Sequence, residues 1–326
     1  MNIICKWKGE YAILNSVNIR ITATCESFEQ AQKLLENGVD CLYLGEGEFG
    51  LRLPSAFSLN EIRELTALAH VAGKFVTIAV NALMHVEKMA KIRDYLSFLS
   101  EILTPEDHLA VGDAGVIYVL QEEFPQLHWI YDASTMVASA RQVNFWAKQG
   151  ASGAVLAREL PKPELEAMSH ELEIPGEILV YGATVIHQSK RPLLQNYFNF
   201  AQVENGKKDQ KNYHFLAEPS DENSHYSIFE DAHGTHIFAN DDLNMMTALP
   251  ELLAMGYDHW KLDGIFTRGD AFVEIVKCFV EARQMLETGS AKFDEITLLD
   301  EKVRKLHPAN RTLSRGFYDL DPKKIK

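Results

Sequence analysis

The residues best suited to chemistry in this chain are charged and polar side chains that lie at or near the ends of short apolar runs. His187, Ser189, Lys190 and Arg191 come after the run at 177–181, and Arg158 and Glu159 come after the run at 154–157. Arg52, Asn81, Asp113 and Ser134 lie near the ends of other runs, and Lys261 sits in the last one. Arginine grips a carboxylate or phosphate through a planar fork, whereas lysine acts as a point charge. Arg52, Arg158 and Lys261 in one pocket would suit an acidic metabolite such as a dicarboxylate. Asp113 and His187 are the candidates for proton transfer. The same set reads alternatively as polar packing, with Arg158 and Glu159 pairing with neighbours and Lys190–Arg191 forming an interface or a solvated helix start. Asp132 reads as a general base or, in preference, as the cap of a helix over 137–148.

A second cluster, Glu230, Asp231, His233 and His236, has metal-ligand residue types. On a hairpin, positions i and i+3 face opposite sides. The favoured reading is therefore a hairpin tip, turning at Gly234, in which Asp231 bonds nearby backbone. Hydrolytic signatures are missing: there is no GxSxG, no HExxH and no cysteine-centred catalytic motif. The four cysteines, Cys5, Cys25, Cys41 and Cys278, are far apart with no CxxC, which fits reduced, buried thiols in a cytoplasmic protein.

The elements that must position these residues follow one rhythm. Helical stretches at 29–37, 59–72, 142–149 and 249–255 each run into a glycine, and a short apolar run comes next. Glycine there permits the left-handed backbone that stops a helix. Unalternating apolar runs suit strands covered on both faces. Eight strands are expected, at 19–24, 41–45, 75–80, 108–111, 128–131, 154–157, 177–181 and 259–262. Eight βα units predict an α/β fold, a (β/α)8 TIM-type barrel, with function at the C-terminal ends of its strands. A doubly wound open sheet is the runner-up, but no GxGxxG follows a strand. The rhythm breaks at about 193–242, an insertion between strands seven and eight with a hairpin over 226–239. Residues 1–17 read as an N-terminal extension, 18–290 as the barrel and 291–326 as a tail or arm. The formal net charge of −14 argues against tight nucleic-acid binding by the chain as a whole, leaving a local basic patch or a basic partner. No segment is apolar enough to span a membrane.

Several stretches, in order along most of the chain, resemble the collagenase-like peptidase family U-32. They are residues 41–52 (CLYLGEGEFGLR), 80–85 (VNALMH), 111–116 (VGDAGV), 156–160 (LAREL), 230–238 (EDAHGTHIF) and 260–264 (WKLDG). Between them, residues 180–197 (VYGATVIHQSKRPLLQNY) are similar to the family's defining segment. The resemblance implies a barrel with an iron–sulfur cluster held by four cysteines. At the matching positions this chain has Val185, Pro192 and Asn244, and residues 193–240 contain no cysteine. Cluster iron needs thiolates, so no cluster is expected in this chain. The last strand departs from the family's Lys-x-Glu-Gly-Arg pattern, since Ile265 replaces the arginine.

The 187–191 variant (HQSKR) looks like a Gram-positive subgroup in which such a chain is the first of a pair. Its partner would be a cysteine-bearing relative. The family includes proteins that support 5-hydroxylation of wobble uridine in tRNA, with prephenate required. The resemblance therefore implies a cluster-free subunit of a tRNA-hydroxylating system, with tRNA met through the complex and prephenate or another acidic metabolite as ligand. A peptidase or other hydrolase, as the family name asserts, and a metabolite-binding module without catalysis remain the alternatives.

Overall fold

The computed structural model describes residues 3–7, 10–14, 18–132, 137–203, 206–210, 214–321 and 323. A small antiparallel hairpin comes first, β1 (Ile3–Trp7) with β2 (Glu10–Leu14). The barrel strands are β3 (Arg20–Thr24), β4 (Cys41–Leu44), β5 (Phe75–Val80), β6 (His108–Val111), β7 (Trp129–Tyr131), β8 (Ala154–Val155) and the start of β9 (Gly176–Ser189). Then come β10 (His214–Glu218), β11 (Asp221–Asp231) and β12 (Gly234–Asn244), the last barrel strand β13 (His259–Leu262), and β14 (Thr312–Ser314). Each barrel strand is parallel to the next, β9 pairs with β13, and β13 pairs with β3. The sheet therefore closes into the expected (β/α)8 barrel.

Helices α1 (Phe28–Glu36), α2 (Leu59–Val71), α3 (Val86–Ile102), α4 (Ala114–Glu123), α5 (Ala140–Lys148) and α6 (Lys162–Ser169) fill the crossovers. They are followed by α7 (Leu193–Phe200), α8 (Leu249–Ala254), α9 (Gly269–Glu287) and α10 (Phe293–Leu306). Ser27, Ser58, Asp113 and Ser139 cap α1, α2, α4 and α5 by accepting backbone N–H groups, and Glu61 completes a capping box with Ser58. Gly38, Gly73, Gly150 and Gly256 all have positive φ at the anticipated helix stops. One expectation is corrected here. Asp132 does not cap the helix of 137–148, because that helix begins at Ala140 and Ser139 caps it.

Strand side chains alternate between two environments. Ile21, Leu42, Ile78, Leu109 and Trp260 point outward and join Leu34, Ile62 and Leu96 of the helices in the main core. The barrel interior is more polar. Tyr43, Ala79 and Ala110 form a small apolar cluster there. Thr22, Thr77, Glu177 and Lys261 are buried as well.

The insertion is built partly from a barrel strand. β9 pairs in parallel with β13 through Tyr181, then continues antiparallel to β12 as far as Ser189. The corner is Gly182, at φ 124°. A Cβ there would lie 2.4 Å from the Asp263 carbonyl oxygen, so only glycine fits. The extra sheet, β10–β11–β12 with the second half of β9, packs Ala183, Val185, Phe229 and Phe238 against Ile265 and Phe266. The tail adds α10 against α9 and lays β14 parallel to β12. Arg311 fixes it through a buried two-pronged pair with Asp242, its Nη2 2.5 Å from Oδ1 and its Nε 2.9 Å from Oδ2.

Candidate functional site

The C-terminal ends of the barrel strands open into a cavity of about 670 Å³. Leu51 and Arg52 from the loop after β4, Asn81 just after β5, Glu159 after β8 and His187 and Gln188 of β9 are among its lining residues. Asn81 organises the floor. Its Oδ1 accepts from Leu51 N at 2.9 Å, and its Nδ2 donates to Asp132 Oδ2 at 2.9 Å and to the Tyr43 hydroxyl at 3.2 Å. Tyr43 in turn donates to Asp132 Oδ2 at 3.3 Å. Arg52 holds a left-handed backbone, φ 52°, unusual for a residue with a side chain. Its Nη1 donates to Gln188 Oε1 at 2.7 Å, tying the β4 loop to the second half of β9.

The three expected cations meet here electrostatically. Lys261 is 4% exposed, and its ammonium lies 3.3 Å from the centroid of the Tyr43 ring, a contact in which the ring face attracts the cation. Burial pushes the Arg52 guanidinium down to about 10, and the Arg158 charge adds to the fall. Burial also pushes the Asp263 carboxyl up, while Lys261, Arg158 and Arg52 hold it back. The Tyr43 hydroxyl is raised well above its ordinary range by burial and then by the charges of Asp132 and Glu177. Among the described residues neither Lys261 nor Arg158 is in an ion pair. A buried cation with no carboxylate partner is costly, and a bound anion would relieve it.

The other candidates fall in different places. Asp113 caps α4, accepting from Gly115 and Val116 N–H, and its second oxygen accepts from Met84 N–H. His187 is exposed on the cavity rim. Ser189 Oγ accepts from Arg191 N at 3.2 Å, and the exposed Lys190 donates to the Ala232 carbonyl at 2.9 Å. Ser134 lies outside the described residues.

The histidine cluster forms a hairpin tip. Asp231 Oδ1 accepts from His233 N at 2.7 Å and from His236 Nε2 at 2.9 Å. Burial acts to raise the Asp231 carboxyl, but the His236 bond leaves it below its ordinary value. His233 Nε2 donates to the Gly47 carbonyl at 2.8 Å, and Lys88 approaches its Nδ1 at 2.9 Å. The tip is thereby clasped to the loop that carries Arg52. Among the described residues no group of three histidine, cysteine or acidic side chains is arranged to hold a metal.

The positions aligned with cluster ligands offer no thiolate. Val185 is buried among Phe229, Phe238 and Phe266, Pro192 precedes α7, and Asn244 donates to Asp300 Oδ1 at 2.7 Å. Cys25, Cys41 and Cys278 are buried, and burial raises all three thiols, Cys25 to about 12. These residues do not fit an iron–sulfur cluster.

Sequence reasoning passed over Tyr43, Gln188 and Asp263, and gave Asp132 a local role. Tyr43 had a usable signal, since it shares the inward face of β4 with Cys41 at period two. Gln188 and Asp263 had none, because their partners come from distant strands.

Comparison with known proteins gives a consistent outcome. Residues 26–326 match the model of Peptidase family U32. The chain is 31% identical to tRNA hydroxylation protein P2 of Bacillus subtilis, over 87% of this chain and 92% of that protein. It is 22% identical to tRNA hydroxylation protein P1 of the same organism, over 93% of this chain and 71% of that one. It is 25% identical to tRNA hydroxylation protein P of Escherichia coli, over 86% and 70% respectively.

Proposed function

This chain belongs to peptidase family U32, and we propose that it serves in tRNA wobble-uridine hydroxylation as a subunit without an iron–sulfur cluster, its barrel mouth holding a small acidic metabolite. The names of three relatives support the tRNA reading. The observation that carries the ligand reading is Lys261, buried without an ion pair among the described residues and lying on the ring of Tyr43, whose hydroxyl is bonded to Asn81 of the cavity lining. Arg158, half-buried and without an ion pair among the described residues, supplies a second cation coupled to Asp263. Together they would take the two carboxylates of prephenate or a similar dicarboxylate, with Asn81 and Tyr43 setting the floor. A cysteine-bearing relative would supply the cluster, because Val185, Pro192 and Asn244 cannot. A hydrolase finds less support: among the described residues no serine or cysteine is hydrogen-bonded to a histidine.

Two measurements test this. Mass spectrometry of tRNA from cells lacking the protein should show loss of 5-hydroxyuridine, and normal levels in a strain also cleared of redundant relatives would sink the role. Prephenate should raise the melting temperature of the purified chain, by about 2.7 kcal/mol of added stability at 100 times its Kd. Arg158→Ala should remove most of that shift, and an unchanged shift would place the ligand elsewhere.

A further inference from the structure

The acidic residues of this chain are not spread evenly. They make up 46 of 326 residues, yet none falls in residues 178–203. That stretch runs from the barrel strand β9 along the cavity rim and into α7. Ile186, His187 and Gln188 line the cavity, Lys190 and Arg191 follow, and α7 starts at Leu193. α7 buries Leu194 and Phe198 against Ile228 and Ile237 of the insertion. Its other side is exposed. Tyr197 is 61% and Phe200 87% exposed, and a spacing of three residues puts them on one face. The helix contains no charged residue at all.

The basic end is real in three dimensions. Lys190 and Arg191 are both exposed. The Arg191 guanidinium has no partner among the described residues. The Lys88 ammonium is held below its ordinary value by burial and then by the charge of Lys190, so a third cation sits close by. The nearby acids are engaged: Asp231 with His236 and the His233 backbone, and Glu230 with Lys208 and the Gln195 N–H of α7, while Glu48 and Glu46 lie near Lys88.

We propose that this ledge, Lys190–Arg191 with Tyr197 and Phe200, docks a single-stranded RNA loop and leads a base toward the cavity. This rests on the reading that tRNA is the substrate of the system. Unpaired RNA is recognised by stacking on aromatic rings and by cations on the backbone. The ledge supplies both, in sequence, and a helix of eight residues spans about 12 Å, the scale of a few nucleotides. An overall negative charge is no obstacle, because residues 178–203 carry no acid of their own and the acids packed nearest them, Asp231 and Glu230, are already hydrogen-bonded. A protein partner would also accept exposed aromatics, but it would give no reason for the run of residues without acids.

The test uses the full chain and a fluorescent anticodon stem–loop that lacks the wobble modification. Tyr197→Ala/Phe200→Ala should weaken binding about tenfold per lost stack without lowering the melting temperature. Lys190→Gln/Arg191→Gln should flatten the slope of log affinity against log salt by about 1.4. If the chain binds this RNA and neither variant changes affinity, the ledge is wrong while the metabolite site stands. If the chain binds no RNA, the ledge is also wrong, and the role in hydroxylation is judged separately on the deletion strain. If the aromatic variant keeps RNA affinity but loses co-purification with a cysteine-bearing relative, the face is a protein interface and the RNA proposal falls.

Discussion

The two ends of this barrel both place charge inside a parallel sheet, and they do so in opposite ways. At the C-terminal mouth, Arg52 lines a cavity of about 670 Å³, and Arg52, Arg158 and Lys261 share an electrostatic coupling with Asp263. At the N-terminal end, a crevice of about 60 Å³ is lined by Arg20, Thr22, Thr77, His108, Glu177 and His259, among others. At that end the charge is largely held by neighbours, although one Glu177 oxygen has no hydrogen-bond partner. Burial, and then the charges of Arg20 and His128, push His108 down to about 4, so it stays neutral at physiological pH. Thr22 donates to Glu177 Oε2 at 2.9 Å. At the mouth, neither Lys261 nor Arg158 is in an ion pair among the described residues. Charge inside a barrel does not by itself mark a site. A cation without an ion pair, close to a cavity large enough for a metabolite, does.

The sharpest way to break that comparison is Lys261→Met. If the mouth is a ligand site, the variant loses prephenate binding by about 3 kcal/mol, on the order of 100-fold in affinity. The unliganded protein, however, should keep its stability within about 1 kcal/mol, because a desolvated ammonium is replaced by an apolar chain of similar volume. Calorimetry for the ligand and denaturant unfolding for the protein measure the two effects separately. A protein destabilised by several kcal/mol would mean that Lys261 holds the barrel together, and the two ends would then be alike.

The same contrast governs what the sequence disclosed. The eight strands, the helix-stopping glycines and the hairpin at Asp231–Gly234 were legible, because hydrophobic period and turn chemistry are local signals. The insertion was only half legible. β9 reads as ending near Tyr181, since nothing in the sequence says that a strand turns at Gly182 and continues to Ser189; that turn is set by the close approach of Asp263. Asp132 shows the same limit. An aspartate after a strand looks like a helix cap, but its partners Tyr43 and Asn81 lie on other strands, and Ser139, seven positions on, takes the capping role. The positions of Arg158 and Lys261 near strand ends are read from the sequence, whereas the lack of an ion pair at either among the described residues is not.

At the other end, His108 gives a pH-dependent effect. Its folded value, about 4, lies below the ordinary 6.5. The unfolded chain therefore binds the proton more readily between those values. Stability is full above pH 6.5, falls as pH drops, and levels off below pH 4, for a loss of about 3 kcal/mol. His108→Gln should flatten this part of the profile, measured by urea unfolding across pH. Ligand binding at the mouth at neutral pH should not change. An undiminished pH slope in the variant would move the titration to another group and weaken the picture of a contained N-terminal end.

The smallest effect is the most informative about whether the ends are independent. Glu177 is 8% exposed, and its Oε1 has no hydrogen-bond partner. Glu177→Gln keeps an oxygen to accept from Thr22 and removes a buried negative charge, so stability should change by no more than about 1 kcal/mol. Yet Tyr43 feels both Asp132 at the floor of the mouth and Glu177 below it. If the Glu177 charge helps to hold Lys261 through the barrel interior, the glutamine variant will lose several kcal/mol, and prephenate will bind more tightly because its anionic competitor is gone. Tighter ligand binding together with lower stability would merge the two ends into one electrostatic system. A near-neutral variant with unchanged ligand affinity would show that the mouth cations answer to the cavity alone.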